Sequence, residues 1–240
     1  MLARVSLLPL RAAARAAAAA AATLVLAGCG SASQPSPPAG VDLLRVPTPS
    51  PRAEDFVAAV DNPWLALEPG TSVELRSADA GAVTLSVGEE TVPVAGLAAT
   101  PVRRTGPGLD PQTDLFAQDV DGNVWWLGRQ GVWEAGVDGA QAGLVMPATP
   151  RVGDGWRMAL LPGVVEDLAE VVTLGEPLEL DGEEVTDTVV VEVTDPVTGE
   201  VRRRTYVRGV GLVLDRAVIS GGAPDPLGTL VRAELRPSGY

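Results

Sequence analysis

The chain contains no histidine and no lysine, and its 240 residues include a single cysteine, Cys29. Without histidine there is no Ser-His-Asp or Cys-His centre and no histidine zinc site. Without lysine there is neither a Schiff base nor a lysine-bearing P-loop. One cysteine cannot form a disulfide within the chain, so the fold must be held by its own core. Phenylalanine and tyrosine are scarce too, two of each against five tryptophans. Every basic side chain is therefore an arginine, and 18 of them stand against 31 acidic residues, for a formal net charge of −13. A surface this acidic repels phosphate backbones and anionic headgroups, which argues against a nucleic-acid partner and against polybasic docking to a membrane.

What is present is first an address. Arg4, Arg11 and Arg15 precede an apolar run from about Ala16 to Leu26, and Leu26-Ala27-Gly28 leads into Cys29. The run is much shorter than the ~20 residues that a spanning helix needs. A positive start, a short apolar middle and small residues before a cysteine form the pattern of a bacterial lipoprotein signal. On this reading residues 1–28 are removed and Cys29 is acylated. The mature chain is then held by its lipid on the extracytoplasmic face of the cell membrane, with no later apolar run of spanning length.

Residues 29–52 are rich in proline and serine, including Pro35, Pro37, Pro38, Pro47, Pro49 and Pro51. They read as an extended tether, in which a short interruption such as Val41 to Val46 could dock transiently. Residues 53–240 then form one domain, long enough for a compact core. A helical turn or two is expected from Ala53 to Val60, with Ser50 as N-cap and Pro51 at the first position.

Beyond Pro69-Gly70 the period becomes two. Val83, Leu85 and Val87 alternate with Thr84 and Ser86, as in a half-buried strand. Leu115 to Val120, the turn Asp121-Gly122 and Asn123 to Leu127 read as a hairpin, because Asp-Gly supplies positive φ angles. A second hairpin joins Thr186–Thr194 to Glu200–Val207. There Val189, Val191 and Val193 share one face. On the partner strand Arg202, Arg204, Tyr206 and Arg208 share another, with Glu192 available for a cross-strand pair. Gly211 to Ile219 and Thr229 to Leu235 are expected to close the sheet. The expected fold is mainly β: a single curved antiparallel sheet, as a half-barrel, clam or barrel, with at most a short N-terminal helix.

Chemistry is harder to read. Asp119, Asp121 and Asn123 offer closely spaced oxygens, but Gly122 comes too early for a calcium loop and no glutamate stands at the required distance. A hairpin turn accounts for them, and no metal ligand set is expected. Glu166, Asp167 and Glu170 form an acidic group that reads as a solvated face rather than as the paired carboxylates of a hydrolase. Tryptophans offer more: Trp125 and Trp126 are adjacent on one strand, so their rings face opposite ways. One belongs to the core and the other needs a second layer, a loop or a ligand, with Trp64, Trp133 and Trp156 available as cover. Indoles suit apolar pockets, so Trp125, Trp126 and Trp133 are the candidate ligand-binding residues.

Several of these residues also carry a resemblance. Asp61-Asn62-Pro63-Trp64-Leu65, Phe116-Ala117-Gln118-Asp119 with Asp121-Gly122-Asn123-Val124-Trp125, and Trp133 to Ala140 resemble a family of uncharacterised bacterial secreted proteins and lipoproteins. Met146-Pro147-Ala148, Val152-Gly153-Asp154, Pro162-Gly163 with Glu166-Asp167, and Tyr206 with Gly209-Val210-Gly211 continue it. The resemblance implies no activity and no catalytic residues. The ending Gly-Val-Gly-Leu-Val is also similar to other curved-sheet lipoproteins that carry lipids, an analogy of fold only. The expectation is a non-enzymatic envelope module, without cofactor, that holds an apolar ligand or an envelope protein in the concavity of its sheet. The alternatives are an acidic interaction scaffold with no pocket and a carboxylate-dependent hydrolase.

Overall fold

The computed structural model describes residues 41, 46–48, 51–77, 81–180, 182–219 and 228–233. Cys29, the signal segment, Ser50 and most of the tether lie outside the described residues. The chain divides after Pro37, and the body from Pro38 onward is the unit considered below.

Period-two alternation broken by turn glycines gives an almost all-strand body. Along the chain run β1 (Ser72–Ser77), β2 (Gly81–Val87), β3 (Leu97–Thr105), β4 (Gln112–Asp119) and β5 (Val124–Arg129). They are followed by β6 (Gln141–Met146), β7 (Gly155–Arg157), β8 (Ala159–Leu160) and β9 (Leu168–Leu174). The last four are β10 (Thr188–Asp195), β11 (Glu200–Val207), β12 (Gly211–Ile219) and β13 (Leu230–Arg232). They join one antiparallel sheet in the spatial order β7-β9-β10-β11-β12-β13-β1-β2-β3-β4-β5-β6-β8. The two ends of that order, β7 and β8, are consecutive in the chain and separated only by Met158. The sheet is thus nearly closed into a barrel, which shields its edges.

Closure depends on one glycine. A side chain at Gly143 on β6 would come within 2.3 Å of the Arg157 carbonyl oxygen, so only glycine lets the closing segment cross there. Trp156 fastens the same seam by donating its indole N–H to the Leu144 carbonyl at 2.7 Å.

Both predicted hairpins form. Gly122 holds φ +90° in the β4–β5 turn, and β10 pairs with β11 from Thr188↔Val207 to Asp195↔Glu200. Of the expected helix only one 3₁₀ turn exists, Ala53–Asp55, and its N-cap is Arg52 with no side-chain cap bond. Phe56–Val57 instead pairs with β4, opposite Asp119 and Gln118. A sheet edge that can satisfy these backbone groups outweighs a helix too short to nucleate.

Part of the segment expected to be a tether is docked on the sheet. Thr48 exchanges two backbone hydrogen bonds of 2.8 Å with Ala142, and Val41 and Val46 pack against the main core. A few apolar side chains among prolines suffice to dock the segment because the sheet beneath is already formed.

Candidate functional site

The motif residues of the N-terminal segment turn out to build the fold. Gln118 Oε1 accepts the backbone N–H groups of Asp61 and Asn62 at 2.9 and 2.8 Å. Asn62, 1% exposed, donates from Nδ2 to the carbonyls of Gly122 and Pro147 at 2.8 and 3.3 Å. Its Oδ1 accepts from the N–H groups of Trp64 and Leu65 at 2.8 and 3.2 Å. Asp119 is used just as fully. Its Oδ1 accepts from the Asn123 N–H at 2.8 Å and the Asp121 N–H at 3.1 Å. Its Oδ2 takes the Asn123 amide at 2.9 Å and the Trp125 indole N–H at 2.8 Å. These groups form a satisfied polar knot that clasps the N-terminal segment to the β4–β5 turn. Among the described residues, no three acidic side chains come together to hold a metal ion.

The two adjacent tryptophans face opposite ways, as alternation requires. Trp125 packs against Phe56 on the outside of the sheet, ring centroids 6.0 Å apart. Trp126 lies on the lumenal face, edge-on to Trp133 at 5.0 Å. A bulge reshapes this face. β4 pairs Phe116 with Trp126, Leu115 with Gly128 and Asp114 with Arg129, which leaves Leu127 as the extra residue of β5. The bulge reverses the alternation, so Trp126 and Arg129, three apart, share one face. The Arg129 guanidinium lies over the Trp126 ring, 5.1 Å from its centroid, and is held by Asp114 at 2.7 Å. All three candidate tryptophans belong to the buried core cluster.

The open space is elsewhere in the lumen. A partly enclosed cavity of about 200 Å³ has an aliphatic wall on β1 and β2, made of Val73, Leu75, Val83, Leu85 and Val87. None of Trp125, Trp126 and Trp133 lines it. Its polar side is built by β3 and β4, with Arg104 and Asp114, and by β11 and β12, with Arg204, Tyr206 and Asp215. Alternation explains the second set. Val189, Val191 and Val193 lie opposite Tyr206, Arg204 and Arg202 in register, so a row of valines and a row of polar side chains turn inward together. Arg208 leaves that row: it stacks over Trp64, 4.6 Å from the ring centroid, and pairs with Asp187 at 3.2 Å. Glu192 pairs on the outer face with Arg203 at 2.8 Å.

Charge inside the lumen is arranged unevenly. Asp215 bridges Arg202 at 2.7 Å and Arg204 at 3.3 Å. Burial works against the Arg204 charge, but Asp215, with Tyr206 and Asp167, outweighs it and raises this guanidinium above its usual range. Burial also pushes the Tyr206 phenol up, against the opposing influence of Arg204. Arg104 differs. Its Nη2 donates to Gln112 Oε1 at 2.7 Å, but its buried Nε has no hydrogen-bond partner. Burial, then the like charge of Arg129, pushes Arg104 down.

The acidic group at 166–170 is not one solvated face. Glu170 is exposed, whereas Asp167 is half-buried and burial pushes its carboxyl up to about 6. The lumenal carboxylates Asp114 and Asp215 are each engaged by arginine.

Sequence reading found the Arg202, Arg204 and Tyr206 row but passed over Arg104 and Asp114. A signal for them exists: Arg104 is two residues from Val102, and Asp114 two from Phe116, so alternation puts both charges on apolar faces. Compared with known families, characterised proteins and solved structures, the chain finds no match.

Proposed function

We propose that this chain is a lipid-anchored binding protein of the bacterial cell envelope, tethered through Cys29, which receives the apolar part of a small guest in the lumen of its sheet. The observation that carries this reading is the amphipathic cavity, an aliphatic wall on β1 and β2 facing a constellation of arginines and aspartates. Ligand sites have this character: mostly apolar surroundings with a few fixed polar groups. The anchor rests on the three arginines, the short apolar run and the Leu26-Ala27-Gly28-Cys29 sequence. An acidic scaffold that engages basic partners through its outer surface is the second reading, favoured by the net charge of −13.

Native mass spectrometry of the protein purified from its own host tests the choice. The binding reading expects a mass adduct that is lost on denaturation. Protein that is consistently free of adduct, and whose intrinsic fluorescence does not respond to any amphiphile, favours the scaffold.

A further inference from the structure

Arg232, which also lines the cavity, donates to the Val210 carbonyl at 2.6 Å, and among Arg104, Arg129, Arg202 and Arg204 it is Arg104 that stands apart. Arg129 has Asp114 at 2.7 Å, and Arg202 and Arg204 share Asp215 at 2.7 and 3.3 Å. Arg104 makes no ion pair among the described residues, and its buried Nε donates to nothing. Buried ions are normally paired, because a charge removed from water without a counter-ion is costly. Gln112 supplies one neutral acceptor to the half-buried guanidinium, and Asp114 and Asp215 favour its charge only from a distance, so it has no direct counter-ion.

The register places this cation at the end of an apolar row. Arg104 lies directly opposite Leu85 on β2, and Leu85 directly opposite Val73 on β1. All three line the cavity. A molecule that satisfies both ends is negative at one terminus and aliphatic for the rest of its length. Its charge is limited by the same walls. Asp114 and Asp215 also line the cavity, so a second negative charge on the guest would meet like charge at close quarters. A carboxylate offers one charge and two acceptor oxygens, and so matches the guanidinium fork. The partly enclosed cavity of about 200 Å³ suits a short aliphatic chain rather than a full-length lipid.

We propose that the guest is a medium-chain monocarboxylate whose carboxylate accepts from Arg104 and whose tail lies along Val73, Leu85 and their neighbours on β1 and β2. The inference rests on the binding reading above.

The test uses the mature chain, residues 29–240, carrying Cys29→Ser, so that neither an attached acyl group nor detergent competes. Octanoate, octanol, octylamine and octyl phosphate are titrated separately, with tryptophan fluorescence and melting temperature as readouts. Octanoate is expected to bind most tightly. Arg104→Gln is expected to weaken octanoate at least tenfold, leave octanol unchanged and keep the wild-type melting temperature, since it removes a charge that has no direct counter-ion. Equal binding of octanoate and octanol, insensitive to Arg104→Gln, overturns the carboxylate site and leaves an apolar-guest protein. Preference for octyl phosphate or octylamine overturns it as well. Failure of all four ligands removes the binding reading itself. If Arg104→Gln does not fold, ¹³C NMR of carboxyl-labelled octanoate on the wild-type lumen decides. A bound carboxyl that titrates below the free acid supports the site, and an unshifted one overturns it.

Discussion

Asn62 and Gln118 meet through a single hydrogen bond of 2.8 Å from the Asn62 N–H to Gln118 Oε1, and that bond joins the N-terminal segment to the central hairpin. Around it every polar atom of the Asn62 side chain is used. Asn62→Ala keeps that backbone bond but removes the side-chain amide, so the Gly122 and Pro147 carbonyls lose this donor and the Trp64 and Leu65 N–H groups are left without acceptors. At ~1–3 kcal/mol for each buried group left unmatched, the expected loss is about 3 kcal/mol, read from the midpoint of urea unfolding. A change below about 1 kcal/mol would show that the knot is not a structural element.

Asp215 holds the buried Arg202 and the half-buried Arg204, and the side chains of Arg202 and Asp215 are each only 9% exposed. Asp215→Asn keeps the shape and removes the charge, so Arg204 loses its ion-pair partner and Arg202 keeps only that with Glu200 at 2.9 Å among the pairs described here. Breaking a buried pair in this way costs roughly 3–5 kcal/mol. Thermal unfolding of the variant is expected to fall well below wild type. A neutral Asp215→Asn would mean that water reaches this part of the lumen.

Asp167 makes stability depend on pH with an unusual sign. Burial raises its carboxyl to about 6, against the opposing pull of Arg204 and Arg129 and with the support of Asp195 and Asp114. Between the ordinary carboxyl value near 3.8 and 6, the folded chain holds a proton that the unfolded chain has released. This contribution is therefore fully present below about pH 4 and disappears as pH rises through 6. At ~1.4 kcal/mol per tenfold change in proton affinity, it amounts to at most about 3 kcal/mol. Asp167→Asn is expected to be more stable than wild type at pH 7, with the gain shrinking towards pH 4. Denaturation midpoints at pH 4, 5, 6 and 7 measure the difference, and a gap that stays constant across that range would rule this carboxyl out.

The proposed anchor is separable from the fold. Cys29 precedes the docked residues 46–48 by more than a dozen positions, and no described contact depends on it. Cys29→Ser is expected to move the protein from the membrane fraction to the soluble secreted fraction with an unchanged melting temperature. A variant that stays on the membrane after a high-salt wash would point to attachment by another route.

By itself the sequence determined the strands and hairpins, for reasons that are local. Alternation of Val83, Leu85 and Val87 requires a half-buried strand, and Asp121-Gly122 admits the positive φ of a tight turn whatever lies around it. The inward row of Arg202, Arg204 and Tyr206 was legible on the same grounds. Tertiary structure alone decided the rest. The bulge at Leu127 reverses alternation on β5, and no pattern within that strand announces where two residues will oppose one. The packing of one strand on another partly withdraws Asp167 from water and docks Val46 to Thr48, and neither follows from polar composition. Arg104 is the clearest case: an arginine among alternating residues is ordinary, and its lack of a counter-ion exists only once β4, β5, β11 and β12 have assigned every neighbouring carboxylate elsewhere. Burial and pairing are properties of the closed sheet, because the dielectric and the partners that a side chain meets are supplied by strands distant in the chain.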